Sequence, residues 1–142
     1  MQIITIDAYF KDFVTGLDRR QVYASQWLPE YLDNANQLLT AVNNLFTDLS
    51  VKAMPLTSGW RPATLNAATP NAAKASLHMI CKAGDFDDNA NQDLAKLVAS
   101  RPDLLRKYNL FMEDPQYTKG ATCWVHLDCG VRADRPSRLF IP

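Results

Sequence analysis

Apolar residues recur at intervals of three and four along positions 30–49: Leu32, Ala35, Leu38, Leu39, Val42, Leu45, Phe46 and Leu49. Asp33, Asn36, Asn43 and Asp48 fall between them. This spacing predicts a long amphipathic helix over 29–49 with its apolar stripe on a core. A shorter stripe, Ile6, Tyr9, Phe10 and Phe13, predicts a helix over 6–13. Thr5 would cap it, Asp7 would sit at its positive end and Gly16 would stop it. Residues 17–27 are mixed and carry no clear period. Residues 51–61 read as extended, and Pro55 argues for a sheet edge or a strand start. Residues 62–77, rich in Ala, Pro, Thr and Asn, read as loop with short helical turns, and 78–87 as a strand.

Further on, Leu94, Leu97, Val98, Leu104 and Leu105 mark the inner face of a helical region over 89–108. Ser100-Arg101-Pro102-Asp103 resembles a capping box, which would split that region near Ser100. Strand candidates follow at 110–112, 123–127 and 138–141. In the middle one, alternation puts Trp124, His126 and Asp128 on one face and Cys123, Val125 and Leu127 on the other. These elements predict an α+β fold: a small, mainly antiparallel sheet with helices packed behind it. The 142 residues suit one domain, helical over about 1–50 and with its chemical core over 51–142. No repeat or low-complexity linker interrupts it.

Charge narrows the function. Lys+Arg and Asp+Glu are each 15, so the formal net charge is zero. A protein that binds nucleic acid by bulk phosphate attraction needs a basic excess, so no nucleic-acid partner is expected. No apolar run approaches the ~20 residues of a membrane span. The opening Met1-Gln2-Ile3-Ile4-Thr5-Ile6-Asp7 has no basic leader, so no signal peptide is expected. Cys81, Cys123 and Cys129 cannot all pair within one chain, and reduced thiols are the default.

The chemistry gathers around the only two histidines. His78 has Asp85 seven positions on, and His126 stands in Trp-Val-His-Leu-Asp. Two imidazoles and a carboxylate would make a three-ligand zinc site with one open position. Spacing alone favours structural histidines and an ordinary surface aspartate over a metal site. The flanking residues add more. Ser58-Gly59-Trp60-Arg61 lies upstream, then Asn66, then Ser76-Leu77-His78 with Ala83 and Asp85 in register, and finally Trp124-Val125-His126. This resembles the Ser-Gly-Tyr-Arg, Ser-x-His-x-x-Gly-x-Ala-x-Asp and Trp-x-His elements of the zinc D-alanyl-D-alanine carboxypeptidases and dipeptidases. That group includes the L-alanyl-D-glutamate endopeptidases of phage endolysins and shares its fold with the hedgehog signalling domain. The resemblance covers residues 55–128, and the flanks look like small phage-encoded members.

The resemblance implies a hedgehog-like metallopeptidase fold, with His78, Asp85 and His126 as Zn2+ ligands and Arg61 as the electrophilic partner of the substrate. It implies Ser76 as a substrate contact. Trp60, Trp124, Tyr117 and Trp27 are candidate walls of a substrate cleft, though Trp27 reads better as a core aromatic. Asp128, on the same strand face as His126, could orient an imidazole from behind. The implied substrate is the peptidoglycan stem peptide, cut at an amide bond. The implied setting is the host cytoplasm or the phage particle, where other virion proteins would be partners, with action on the cell wall after delivery. Two positions depart from the pattern. Cys81 stands where the group has Gly, and Cys123 stands three before the last His, where many members place a Glu or Asp as general base. Glu113 is the candidate replacement, brought around by the loop over 113–123, or else a turn acid beside Asp114-Pro115. The missing acid keeps a rival reading open: a catalytically degenerate zinc-binding or virion structural protein of the same fold.

Overall fold

The computed structural model describes residues 4–52 and 56–142. Six α-helices, α1 (Ile6–Phe10), α2 (Arg19–Val22), α3 (Glu30–Asp48), α4 (Ala63–Ala68), α5 (Asp93–Ala99) and α6 (Pro102–Lys107), accompany strands β1 (Leu56–Ser58), β2 (Ala83–Asp88), β3 (Phe111–Glu113), β4 (Cys123–Asp128) and β5 (Leu139–Phe140). The strands form one sheet in the order β1-β2-β4-β3-β5. All neighbours are antiparallel except β3 and β5. The expected α+β architecture is therefore present.

The long helix forms where its stripe predicts. Ala35, Leu38, Leu39, Val42, Leu45 and Phe46 of α3 are buried. Phe46 meets Phe86 of β2 edge-to-face at 5.3 Å. Phe86, Val125 and Leu127 belong to the same buried cluster, so one sheet face is apolar and covered. The opposite face carries Asp85, His126 and Asp128. β1 is an edge strand, as the extended reading required; Pro55 lies outside the described residues.

Three expectations shift. The first helix ends at Phe10, not at 13, because Asp12 captures the chain into a turn. Its carboxylate accepts from the Val14 and Thr15 amides at 2.9 Å each, and its carbonyl accepts from Gly16 N at 2.7 Å. Phe13 is left 54% exposed. The capping box at Ser100 does not form. Pro102 forces the preceding Arg101 out of the helical region (φ −128°, ψ 63°), so Arg101 is the N-cap and Ser100 closes α5. Leu97 turns outward to solvent. Residues 78–81 are not strand: Leu77–Ile80 is a 3-10 turn, and Cys81 at φ 62°, ψ 32° reverses the chain into β2.

A second core holds the amino-terminal third against the site. Trp60 is fully buried, with ring centroids 5.3 Å from Trp27, 6.0 Å from Phe10 and 6.3 Å from Tyr31. Its indole N–H donates to Met79 O at 3.0 Å. Trp60 is therefore a core residue, and the expectation that it lines a substrate cleft is corrected. Gly59 allows this packing, since a Cβ there would lie 2.0 Å from Tyr9 O. Gly59→Ala should force α1 and the 59–61 segment apart. A cost of about 1–3 kcal/mol is expected, read as a fall in Tm of several degrees in a thermal melt.

Candidate metal centre

Strand pairing assembles the site. Asp85 of β2 lies directly opposite His126 of β4, and Ser58 of β1 lies opposite Asp85. In β3, Phe111 pairs with Asp128 and Met112 with Leu127, so one step further Glu113 falls opposite His126. Glu113 in turn pairs with Phe140 of β5. Ser58, Asp85, His126, Glu113 and Phe140 thus make one row across all five strands. Directly opposite residues of antiparallel strands share a face, so Asp85, His126 and Glu113 project on the same side.

His78 comes to this row from the 3-10 turn. Ser76 caps that turn, its hydroxyl accepting from His78 N at 3.3 Å. Asn34 Nδ2 donates to Ile80 O at 2.9 Å, and Trp60 donates to Met79 O, so the turn is tied to α3 and to the aromatic core. Ser76 thereby has a positioning role that its cap geometry explains. The ligand-type atoms of His78, Asp85 and His126 all lie within 4.8 Å of one another. His78 Nε2 is 3.3 Å from Asp85 Oδ2, and His126 Nδ1 is 2.8 Å from Asp85 Oδ1. His78 is 3% exposed. This buried group could hold a metal ion.

The far nitrogens make the fit specific. His78 Nδ1 is 2.9 Å from Gly59 O, a carbonyl that can only accept, so this nitrogen carries the proton and Nε2 faces the cluster. His126 Nε2 is 2.8 Å from Asp128 Oδ2. Each imidazole therefore has its remote nitrogen held by an oxygen, the arrangement that fixes tautomer and ring direction at metal sites. Asp128 is 1% exposed and is itself held by Arg132, whose Nη2 lies at 3.0 Å and whose Nη1 is closer, and by Gly130 N at 3.1 Å. Arg132 stacks 3.6 Å over the Phe140 ring, and Phe140 meets His126 at 5.7 Å. Nothing in the sequence pattern marked Arg132, because the loop that returns it to Asp128 has no period.

Charge follows from this packing. Burial works against a charged His126, but hydrogen bonds to Asp128 and Asp85 outweigh it and push the imidazole up to about 10. Burial would raise Asp85; the His78 and His126 charges and hydrogen bonds overcome it and hold the carboxyl well below its ordinary range. A proton on His126 Nδ1 thus stands where a metal cation would be favoured.

Arg61 is 14% exposed, with Nη2 3.9 Å from Asp85 Oδ2. Its amide donates to His78 O at 3.1 Å, and its Nη1 donates to Asn66 Oδ1 at 3.3 Å. Asn66 is itself buried and donates to Ala73 O at 2.9 Å, so the 62–76 loop steadies the guanidinium. Trp124 is half-buried on the site face, two residues before His126. Tyr117 is 47% exposed in the turn Pro115–Tyr117.

Glu113 reaches the site by strand pairing, not by a flexible loop. Asp114 is the turn acid, accepting from Gln116 N at 2.9 Å. Burial raises the Glu113 pKa, the His126 charge opposes that rise, and the Asp85 and Asp128 charges add to it. Cys123 pairs with Asp88, and alternation turns it to the face away from His126. An acid at position 123 would point away from the ligands in this register. Cys81 is buried and stands outside the ligand group. No family model, curated protein or solved structure matches the chain.

Adding a divalent metal should raise the melting temperature of the purified chain, by an amount that grows with metal concentration. His78→Ala and His126→Ala should abolish the shift. Asp128→Asn should weaken metal affinity by about 10–100-fold, measured by competition with a chromogenic chelator.

Proposed function

We propose that the protein is a zinc metallopeptidase that hydrolyses an amide bond of the peptidoglycan stem peptide, as a phage endolysin or virion-associated lysin. The observation that carries this reading is the row Asp85–His126–Glu113, with His78 beside it: three ligand-type groups and one further carboxylate on a single sheet face. Two imidazoles and one carboxylate suit zinc and leave a coordination position open. The choice of a wall peptide rests on the Ser58-Gly59-Trp60-Arg61, Ser76-x-His78 and Trp124-x-His126 resemblance.

Zinc bound there would supply Lewis acidity, polarising the scissile carbonyl and lowering the pKa of water. The protein's own groups would do the rest. Glu113 accepts the proton of the attacking water and returns it to the leaving amine, a role favoured by a carboxyl that burial raises above its ordinary value. Arg61 offers its guanidinium to the charge developing on the carbonyl oxygen. Asp128, locked by Arg132, keeps His126 from turning. The rival reading, a zinc-binding protein without turnover, drew its support from Cys123; the nearness of Glu113 to the row of Asp85 and His126 supports the catalytic reading over it.

The test is digestion of purified peptidoglycan by the zinc-loaded chain, with mass spectrometry of the released fragments to identify the bond. Glu113→Gln should retain its zinc and lose about 10²-fold or more in turnover. Turnover equal to wild type would reject Glu113 as the base. A zinc-loaded wild type that releases no fragment would favour the non-catalytic reading.

Arg61→Lys should also lose turnover, because an ammonium cannot reproduce the planar fork. Unchanged turnover in Arg61→Ala would remove Arg61 from the mechanism.

A further inference from the structure

A cavity of about 510 Å³ opens at the end of the β2–β4 pair, beyond the candidate metal group. Asp87, Asp88, Lys119, Gly120, Ala121 and Cys123 are among the residues that line it. The strands lead to it from the site. Asp87 of β2 lies directly opposite Trp124 of β4, two residues along from the pair of Asp85 and His126. Alternation puts Asp87 and Trp124 on the same sheet face as Asp85 and His126. At a rise of about 3.3 Å per residue, the two pairs stand about 7 Å apart along the strands.

A fixed turn closes the cavity on its far side. Lys119 bridges to Cys123, and Gly120 N donates to Thr122 O at 2.9 Å. Trp124 N donates to the carbonyl of Thr118 at 3.1 Å, and Thr118 is 1% exposed, so the turn is tied to β4.

Two charged groups of the lining are left over. Asp88 is committed to the start of α5: its carboxylate accepts from Asn89 N and Leu94 N at 2.9 Å each and from Ala95 N at 3.0 Å. The carboxylate of Asp87 and the ammonium of Lys119 have no partner among the described residues and do not pair with each other. Both residues are exposed. The cavity therefore presents one free anion and one free cation. The complementary group is an ammonium beside a carboxylate, the zwitterionic head of an α-amino acid. A lone carboxylate would meet Asp87 and a lone ammonium would meet Lys119, so each is disfavoured relative to the pair. Trp124, between the cavity and the metal group along β4, offers an aromatic surface to the methylenes that would carry such a head.

We propose that this cavity is a subsite for a zwitterionic amino-acid head at the end of a substrate side chain, with Asp87 taking the ammonium and Lys119 the carboxylate. This rests on the peptidase reading above and narrows its substrate to a stem peptide whose diamino residue is a diaminodicarboxylate, free at its outer end, in place of lysine. An extended peptide advances about 3.3–3.6 Å per residue, so the residue that reaches the cavity stands within about two positions of the bond at the metal group. Asp87 and Lys119 are then specificity-determining residues.

The test is an NMR titration of the full-length zinc-loaded chain, which needs no turnover. Three probes differ in one group: meso-diaminopimelate acetylated on one amine, the same molecule with the carboxylate beside its free amine amidated, and Nα-acetyl-L-lysine. The first should shift the amides of residues 87–90 and 119–123. It should bind about five-fold more tightly than the other two, the upper end for one exposed ion pair. Lys119→Gln should erase that preference, and Asp87→Asn should weaken all three probes by a similar factor. Lys96→Gln, at an exposed position outside the cavity, should change nothing. The amide spectrum of each variant reports whether it folds, and the exposure of both side chains favours that it does. Equal affinities for the three probes in the wild type would overturn the proposal. A preference that survives Lys119→Gln, or shifts that spare both segments, would overturn it too. Failure of the peptidase reading looks different: the probe preference stays, and the zinc-loaded chain releases no fragment from peptidoglycan.

Discussion

The pairing of β2 with β4 is the constraint on which the site depends. Six consecutive pairs, from Ala83 opposite Asp128 to Asp88 opposite Cys123, fix which side chains look outward. A slip of one residue would turn one strand over, driving either Asp85 of β2 or His126 and Asp128 of β4 into the apolar core and bringing Phe86, or Val125 and Leu127, into water. Burial of those three in the hydrophobic core therefore enforces the register, and the register sets the chemistry. The carboxylates and imidazoles need no energetic device of their own to be brought together. They occupy the solvent-side positions of strands whose other face the hydrophobic effect has already committed.

His78 and Arg61 come from outside the sheet and need a separate anchor. The aromatic cluster supplies it. Trp60 sits in the core, so the residues on either side of it are placed with little freedom: the Gly59 carbonyl takes the His78 ring, and the Arg61 amide takes the His78 carbonyl. Four residues, Ser58-Gly59-Trp60-Arg61, thus serve four different surroundings. Ser58 pairs in the sheet, Gly59 admits the α1 backbone, Trp60 fills the core and Arg61 faces the candidate metal ligands. Substitution at Gly59 or Trp60 would disturb the site from behind it.

Much of this was legible in the sequence. The α3 stripe, the two helices around residue 100, the strand faces at 123–128 and the grouping of His78, Asp85 and His126 all follow from periodicity and motif. What was not legible depended on long-range pairing. No local pattern distinguishes a Trp60 that lines a cleft from one that fills a core, since both read as an aromatic beside glycine. Arg132 reaches the site across a loop whose course no period records. Glu113 was identifiable as a nearby acid, yet its place opposite His126 is a property of the β3–β4 register. The short helix over 6–10 was overrun in the reading because the apolar Phe13 continues the stripe, while Asp12 ends it with side-chain hydrogen bonds that compete with the helix.

Both departures from the peptidase pattern become intelligible through the backbone. The position of Cys81 requires a left-handed conformation, φ 62°, to swing the chain from the His78 turn into β2. Glycine meets that demand without strain, and any other residue there carries a cost. Cysteine is tolerated because its side chain is fully buried in the core cluster and because the hydrogen bond from Lys82 N to Leu77 O, at 2.9 Å, closes the turn around it. At position 123 the strand has already alternated away from the ligands, so a thiol there takes nothing from the site face. A carboxylate is instead carried by the neighbouring strand, where Glu113 lies one step beyond the Met112–Leu127 pair.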